Sequence, residues 1–347
     1  MTEDFMTAGP LGPFAWRRTP ALLVALVAGA GTACAEADQQ AAEMPPVEAT
    51  ASSQDERILA APGTMSDGSP VAPHTTETVA TGIELVSDGL IGGMSIDADG
   101  NVYNTNFRNT IWRTAPDGTT TVLNDEFTAA SGNFALANGD LMQGEWRENR
   151  IYRIDPDGTR SVFAEGGLDG PVGIVQRPQG DFIVANSRGA FLARVPAEGG
   201  EAEVALRHGK MTQPNGVTID PDGNIYVADL DGGIVFKWTP DGDVIELAEL
   251  PGGGNAHNVY AGGALYVNKI WDHVIYRVDL ETGAYGIVTG TGHPGYEDGP
   301  TGTATIEEPN GIATNAAKDV VYFNTHRGKM FEAPGRVIVR RLVLPAS

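Results

Sequence analysis

Short runs of alternating apolar and polar residues occupy most of this chain, and polar turns rich in Asp and Gly separate them. The segment beginning at Asn215 shows the pattern most clearly. An apolar run at Val217–Ile219 leads through a Pro-Asp-Gly turn to a second run at Ile225–Ala228. Asp-Gly between two such runs is a strong signal for a β-hairpin. A third run at Gly233–Trp238 and a fourth around Val244–Ala248 complete a unit of four predicted strands.

The four-strand unit recurs six times, at intervals of roughly 40 residues. Four-stranded repeats are typical of β-propellers, in which each repeat forms one blade. The last unit lacks a fourth run, whereas Glu77–Val86 precedes the first unit and belongs to no repeat. We therefore predict an all-β, six-bladed β-propeller with four-stranded blades, in which the N-terminal strand closes the last blade and covers its edge. The units begin at Gly92, Ser131, Val172, Asn215, His257 and Asn310.

The N-terminal part of the chain has a different composition from the repeats. Arg17 and Arg18 precede an apolar run at Ala21–Ala30, and small residues follow it. A basic region, a short apolar region and small residues in this order predict a signal peptide over residues 1–35. The apolar run is shorter than the roughly 20 residues that a membrane-spanning helix needs.

Two modes of processing fit the end of this signal peptide. Residues 33–35 fit ordinary cleavage, whereas residues 31–34 resemble a bacterial lipobox, which would place a lipid anchor on Cys34. Residues 36–75 are rich in Ala, Glu, Pro, Ser and Thr, so we predict a disordered tether there and the propeller over residues 76–347. The protein is therefore expected to be exported, either secreted or periplasmic, or anchored in the outer membrane as a lipoprotein.

Charge and cysteine content narrow the classes of partner. The chain carries 45 acidic and 23 basic residues, for a formal net charge of −22. Nucleic acid is excluded as a partner, because phosphate binding needs clustered Lys and Arg. Cys34 is the one cysteine, so core burial and strand pairing must hold the fold without an internal disulfide.

Two segments carry a resemblance to known propeller families. Residues 293–322 resemble an NHL repeat, and Pro214–Asp229 resembles blades of the SMP-30/gluconolactonase family. The resemblance implies a divalent metal in the central channel, usually Ca²⁺, and hydrolysis of lactones or related esters. The family's site uses a Glu at one blade start, an Asn before Gly, and an Asp at the next blade start. Asn215 matches the Asn, whereas Gly92 and His257 stand at the other two positions.

Further candidates follow from blade geometry, because the start of strand one and the end of strand two lie at the same rim of a propeller. Glu145 is a candidate metal ligand and general base, and His257 is a candidate base near neutral pH. Asn215 and Asp229 are candidate metal ligands through their oxygens. Structural roles compete with these assignments. Asn before Gly commonly bonds the turn backbone, Asp at a strand end commonly braces a loop, and Glu145 can pair with a neighbouring Arg.

The same rim offers candidates for binding a small-molecule substrate or ligand at the channel mouth. His326 and Arg327 are suited to an anionic group or an oxyanion, and Asn310 and Asn268 are suited to polar groups.

Three hypotheses about function follow. The first is a metal-dependent lactone or ester hydrolase with Ca²⁺ on Asn215, Glu145 and Asp229. The second is a non-catalytic propeller that binds a ligand or a protein. The third is a lyase with Zn²⁺ on His257 and His326.

Overall fold

The computed structural model describes residues 61–85, 91–327 and 335–345 of the chain. The predicted signal peptide, Cys34 and residues 36–60 lie outside these ranges. Within the described residues, no helix is long and apolar enough to cross a membrane. Their regular structure consists of antiparallel β-strands grouped in six sheets.

Blades 1–5 are four-stranded and run from the innermost to the outermost strand in chain order. Blade 1 contains β2 (Met94–Ile96), β3 (Val102–Thr105), β4 (Ile111–Thr114) and β5 (Thr120–Asn124). Blade 2 contains β6 (Ala130–Ala135), β7 (Leu141–Glu145), β8 (Arg150–Ile154) and β9 (Arg160–Glu165). Blade 3 contains β10 (Pro171–Gln176), β11 (Phe182–Asn186), β12 (Phe191–Val195) and β13 (Glu203–Leu206). Blade 4 contains β14 (Pro214–Ile219), β15 (Ile225–Asp229), β16 (Ile234–Trp238) and β17 (Val244–Glu249). Blade 5 contains β18 (Asn255–Ala261), β19 (Ala264–Lys269), β20 (Val274–Val278) and β21 (Tyr285–Thr289).

Blade 6 combines strands from both parts of the sequence. The strand β1 (Thr75–Leu85) pairs antiparallel with β25 (Gly335–Val343) on its inner side and with the short strand β22 (Gly299–Pro300) on its outer side. The pairing with β25 runs from Thr75 opposite Val343 to Leu85 opposite Gly335. From the inside outwards, the blade contains β23 (Ile312–Thr314), β24 (Val320–Arg327), β25 (Gly335–Val343), β1 (Thr75–Leu85) and β22 (Gly299–Pro300).

The six innermost strands contact one another in a closed ring, in which β2 meets β6 at one side and β23 at the other. Apolar side chains fill the space between neighbouring blades. Between blades 3 and 4, for example, Ile183 and Leu192 pack with Val227 and Phe236, and all four are completely buried. Burial of one such side chain contributes roughly 1.5–3 kcal/mol. A comparable cluster lies between each of the other neighbouring pairs. The prediction of a six-bladed, all-β propeller is therefore confirmed.

The hairpin between strands one and two is braced by an Asp in two blades. The carboxylate of Asp220 accepts hydrogen bonds from the backbone and side-chain amides of Asn224 and from the hydroxyl of Tyr226. Asp97 makes the same contacts in blade 1. Burial, and to a smaller extent the hydrogen bond to Asp220, disfavour ionisation of the phenol, so the pKa of Tyr226 is raised.

Residues 61–74, which we term the N-terminal strap, pack on blade 5 and so differ from the predicted tether. The amide of Ser66 donates to the carbonyl of Tyr285 at 2.7 Å. Met65 and Val71 are buried in the apolar cluster between blades 5 and 6. His74 is also buried, and its Nε2 lies 3.0 Å from the Tyr266 hydroxyl. A few apolar side chains in a polar segment give no periodic signal, which is why composition alone indicated disorder here.

Candidate functional site

The inner strands surround a cavity of about 270 Å³ in the central channel. Residues from all six of these strands line it. The lining extends along strand one from the level of Gly93, Gly132 and Gly173 to the rim where strand one ends. No described Asp or Glu contributes to the lining. The described lining is therefore free of negative charge, in a chain with a net charge of −22. Its main hydrogen-bonding side chains are Ser95, Asn133, Gln176, His257, Asn258 and Tyr260.

One position of the repeat is Gly in five blades and His257 in blade 5. For example, Gly216 directly precedes Val217, which pairs with Val227 of strand two, and His257 directly precedes Asn258, which pairs with Val267. The equivalent residue has the same place relative to strand two in the other four blades. A Cβ at Gly132 would lie 2.1 Å from the carbonyl oxygen of Val172 in the next blade, and one at Gly216 would lie 2.6 Å from the His257 Cα. Glycine therefore allows neighbouring blades to approach closely. The five glycines are Gly93, Gly132, Gly173, Gly216 and Gly311.

The sequence aligned His257 with Asn215, but the structure shows that they are one position apart. The residue equivalent to Asn215 is Ala256, since Gly216 lies beside His257. The register follows from strand pairing, because Asn258 pairs with Val267 as Val217 pairs with Val227, which places His257 level with Gly216. The spacing along the sequence does not reveal this, because the connections between blades differ in length.

The imidazole of His257 lines the cavity, and it is 9% exposed. Burial removes water from the charged form and lowers the pKa of His257 to about 4. The ring is therefore neutral near pH 7 and carries one nitrogen lone pair. No described residue hydrogen bonds to the ring, so this lone pair is available to accept a proton from a bound molecule.

Two buried amides of the cavity lining, Asn133 in blade 2 and Asn258 in blade 5, have polar atoms without protein partners among the described residues. Neither the oxygen nor the nitrogen of the Asn133 amide is bonded, and the Oδ1 of Asn258 is unbonded as well. The Nδ2 of Asn258 donates to the carbonyl of Tyr226 at 3.1 Å. An unpaired buried polar group costs about 1–3 kcal/mol, so these groups indicate a cavity that holds water or a polar ligand. The sequence did not point to either Asn, because its candidates were taken from the start of strand one and the end of strand two.

Glu145 braces the loop that leads into its own blade. Its carboxylate accepts hydrogen bonds from the backbone amide and hydroxyl of Thr128, both at 2.9 Å. The amides of Ala129 and Arg147 donate to it at 3.0 and 3.2 Å. Glu145 is completely buried and does not line the cavity.

Asp229 occupies the same repeat position in blade 4 and makes the same kind of contacts. The amide and the hydroxyl of Thr212 donate to it at 2.7 Å, and the amides of Gln213 and Gly232 donate at 3.0 and 2.7 Å. Asn215 connects two blades, since its Nδ2 donates to the carbonyl of Ala256 at 2.7 Å. The three candidate metal ligands thus make structural hydrogen bonds away from the cavity.

The candidate substrate-binding residues also lie away from the cavity lining. Asn310 donates to the carbonyl of Ile91 across the junction of blades 6 and 1. Asn268 donates to the carbonyls of Asn310 and Gly311 at 2.9 and 3.1 Å, which joins blades 5 and 6. His326 is buried near the end of β24 and does not line the cavity. The side chain of Arg327 lies outside the described residues.

The donor set in the described residues does not fit a divalent cation. No three His, Cys, Asp or Glu side chains there are grouped so as to hold a metal ion. Ca²⁺ sites usually contain several carboxylates, whereas the described lining of the cavity offers neutral amide and hydroxyl oxygens, an imidazole and no carboxylate. His257 and His326 are not brought together at the cavity either, so the lining does not provide the two-histidine zinc site of the third hypothesis.

Comparison with known proteins gives one family match. Residues 119–269 match the model of the SMP-30/Gluconolactonase/LRE-like region. No curated protein sequence matches the chain. The family match and the propeller architecture together confirm the resemblance drawn from the sequence.

Solved structures with the same fold share little sequence with this chain. A gluconolactonase from Xanthomonas campestris is 16% identical with a TM-score of 0.58, covering 78% of this chain and 89% of its own. Regucalcin from Agrobacterium tumefaciens, described as a calcium-binding protein, is 14% identical with a TM-score of 0.56, covering 77% and 96%. Virginiamycin B lyase from Staphylococcus aureus is 17% identical with a TM-score of 0.52, covering 78% and 100%.

Proposed function

We propose that the central channel binds a small lactone or ester and hydrolyses it with His257 as general base. The chain carries an SMP-30/Gluconolactonase/LRE-like region in a six-bladed propeller. The observation that carries the proposal is the replacement of a sterically required glycine by an unbonded imidazole at the cavity. A histidine with a purely structural role would be expected to have a hydrogen-bond partner, as His74 does.

The proposed reaction uses groups of the chain itself. His257 takes a proton from a water molecule, whose oxygen forms a bond to the carbonyl carbon of the ester. The ester C–O bond then breaks, and the proton passes to the departing alkoxide, which gives a hydroxy acid. The unpaired amide N–H of Asn133 is a donor for the carbonyl oxygen as negative charge develops on it.

Hydrolysis of aldonolactones, followed in a weakly buffered solution with a pH indicator, tests this proposal. We expect His257→Gly to lose activity by about 100-fold or more, the usual contribution of a general base, while the fold is kept because Gly is the residue of the other five blades. His208→Gln, a partly exposed histidine outside the channel, is the matched control. Activity that survives in His257→Gly would refute the role of this residue.

The metal requirement is tested in the same assay with EDTA or with added CaCl₂. Since the donor set does not fit a cation, we expect equal rates in both. A rate that depends on Ca²⁺ would instead support the metal-dependent hydrolase that the family resemblance implies.

Non-catalytic ligand binding is the second candidate function. The observation that favours it is the low pKa of His257, about 4, since a general base works best with a pKa close to the working pH. Saturable binding of a lactone without hydrolysis, with the same affinity in His257→Asn as in the wild-type protein, would support this alternative.

A further inference from the structure

A second glycine position of the repeat is also occupied by a larger residue, Lys318, which lies in the hairpin turn between β23 and β24. Its backbone φ is +56°, in the left-handed region. Its amide donates to the carbonyl of Asn315 at 3.0 Å, three residues back. The equivalent turns of blades 1–4 have the same hydrogen bond and φ values from +83° to +97°, and their residues are Gly100, Gly139, Gly180 and Gly223.

Lysine in this conformation is unfavourable for the backbone, because its Cβ crowds the following carbonyl oxygen. The other turns show that Gly satisfies the same hydrogen bond without this crowding. Strained backbone positions of this kind are concentrated at functional sites. The conformation of Lys318 therefore raises the question of what its side chain does.

The side chain of Lys318 lines the central cavity at the rim where strand one ends. Its Nζ lies 4.9 Å from the centroid of the Tyr260 ring, which holds the ammonium group beside the opening. No described carboxylate forms an ion pair with it, and the nearby Asp319 accepts from the amide of Asn315 at 2.7 Å. Among the described lining residues, Lys318 alone carries a formal charge at neutral pH.

His257 and Lys318, which each replace a glycine of the repeat, lie at opposite ends of the cavity. His257 and Tyr260 belong to the same strand, and three residues of strand separate them by roughly 10 Å. The inner end contains His257 and the unpaired amide of Asn133, and the outer end contains Lys318. A ligand that meets both ends therefore needs an uncharged hydrogen-bonding part and, some distance away, one negative charge.

We propose that Lys318 binds the carboxylate of the substrate, so that the substrate class is a small hydroxylated lactone or ester that carries a separate carboxylate. This inference rests on the proposed function, since it assigns the ester carbonyl to His257. The carboxylate at Lys318 is distinct from the one released at His257, because the two lie at opposite ends of the cavity. One ammonium group matches a single negative charge, whereas phosphate sites usually collect several donors.

Two lactones that differ in one group test the inference. D-glucaro-1,4-lactone has a carboxylate where D-glucono-1,4-lactone has a hydroxymethyl group. Their dissociation constants are measured by calorimetry in the His257→Gly background, so that hydrolysis does not interfere, and their hydrolysis is measured with His257 present. We expect the carboxylate-bearing lactone to bind roughly tenfold more tightly, the effect of one charged contact.

Lys318→Gln and Lys318→Gly should each abolish this preference and leave the affinity for the neutral lactone unchanged. The Gly variant removes the left-handed strain, so its midpoint of urea unfolding should be equal to or higher than that of the parent protein, and a loss of preference then reflects the lost charge. Lys237→Gln is the matched control, since this lysine also lies over a tyrosine ring, that of Tyr226, but outside the cavity lining.

The outcomes separate this inference from the proposed hydrolysis. Equal affinity for both lactones, or a preference that persists in Lys318→Gly, would overturn the inference, and hydrolysis of either lactone would leave the proposed function in place. A carboxylate preference that depends on Lys318, without any hydrolysis, would support the inference and refute the catalytic proposal. If neither lactone binds, both are wrong.

Discussion

At the scale of single residues, two side chains depart from the glycine pattern of the repeat, and both line the same cavity. His257 and Lys318 replace glycines that the other blades use for close packing and for a left-handed turn. Repetition provides an internal reference, because the equivalent positions show what folding alone requires. Glu145 and Asp229 illustrate the opposite case, since both make the same loop-bracing contacts.

The buried histidines make stability depend on pH. Burial lowers the pKa of both His257 and His74 to about 4, below the value of 6.5 for an unperturbed imidazole. The unfolded chain therefore takes up protons first as the pH falls, and each histidine costs up to about 3 kcal/mol of unfolding free energy between pH 6.5 and pH 4. Between pH 7 and pH 4.5, wild type should therefore lose roughly 2–3 kcal/mol more unfolding free energy than His257→Gln does.

Urea unfolding of both proteins at the two pH values measures this difference. His208→Gln controls for removing a histidine elsewhere. Parallel losses of stability in His257→Gln and wild type would show that His257 does not remain neutral in the folded state.

At the scale of elements, the N-terminal strap adds apolar contacts to blade 5. Met65 is 6% exposed and packs in the cluster between blades 5 and 6. Met65→Ala should lower the free energy of unfolding by about 2–3 kcal/mol, as expected for truncation of a buried apolar side chain. Val122→Ala, at a 56% exposed position of an outer strand, should change it by less than about 0.5 kcal/mol. Denaturation in urea gives both values, and similar effects would mean that the strap contributes little.

Sequence patterns predicted the strands and blades well, whereas the lining of the cavity became known only from the structure, for physical reasons. Strand periodicity and Asp-Gly turns are local features of the sequence. The repeat that begins at Asn215 therefore predicts the four-stranded blade and the propeller. His257 was selected because it broke a pattern, although its register was wrong by one. Asn133 and Lys318 were not selected, because only the pairing of strands shows that they line one cavity. The hydrogen bonds that the Glu145 carboxylate accepts depend on how the loop at Thr128 folds, and the spacing of residues along the sequence does not show this.

At the scale of the whole molecule, the ring depends on how blade 6 is held together. Arg340 of β25 is completely buried and donates to the carbonyls of Thr305 and Glu297 and to the carboxylate of Asp298. Asp298 also accepts from the amide and hydroxyl of Thr78 in β1. One buried guanidinium thus connects the last strand, the first strand and the segment that precedes β23.

Substitution of this arginine should affect the whole fold. Arg340→Leu should lower the free energy of unfolding by about 3 kcal/mol or more, since it leaves two carbonyls and a carboxylate without their donor. Arg341→Leu is the matched control, because the neighbouring side chain makes an exposed pair with Glu77 worth at most about 1 kcal/mol. Equal urea midpoints for the two variants would refute a special role for Arg340.

The pairing of β1 with β25 also sets an order of events during synthesis. The ribosome makes β1 before any complete blade, and it makes β25 after all the others. A strand waiting for its partner exposes unpaired amide and carbonyl groups, which can pair with other chains. The first five blades can form without β25, but the ring stays open until β25 is available to pair with β1. The interval before closure is therefore when the protein is most prone to aggregate.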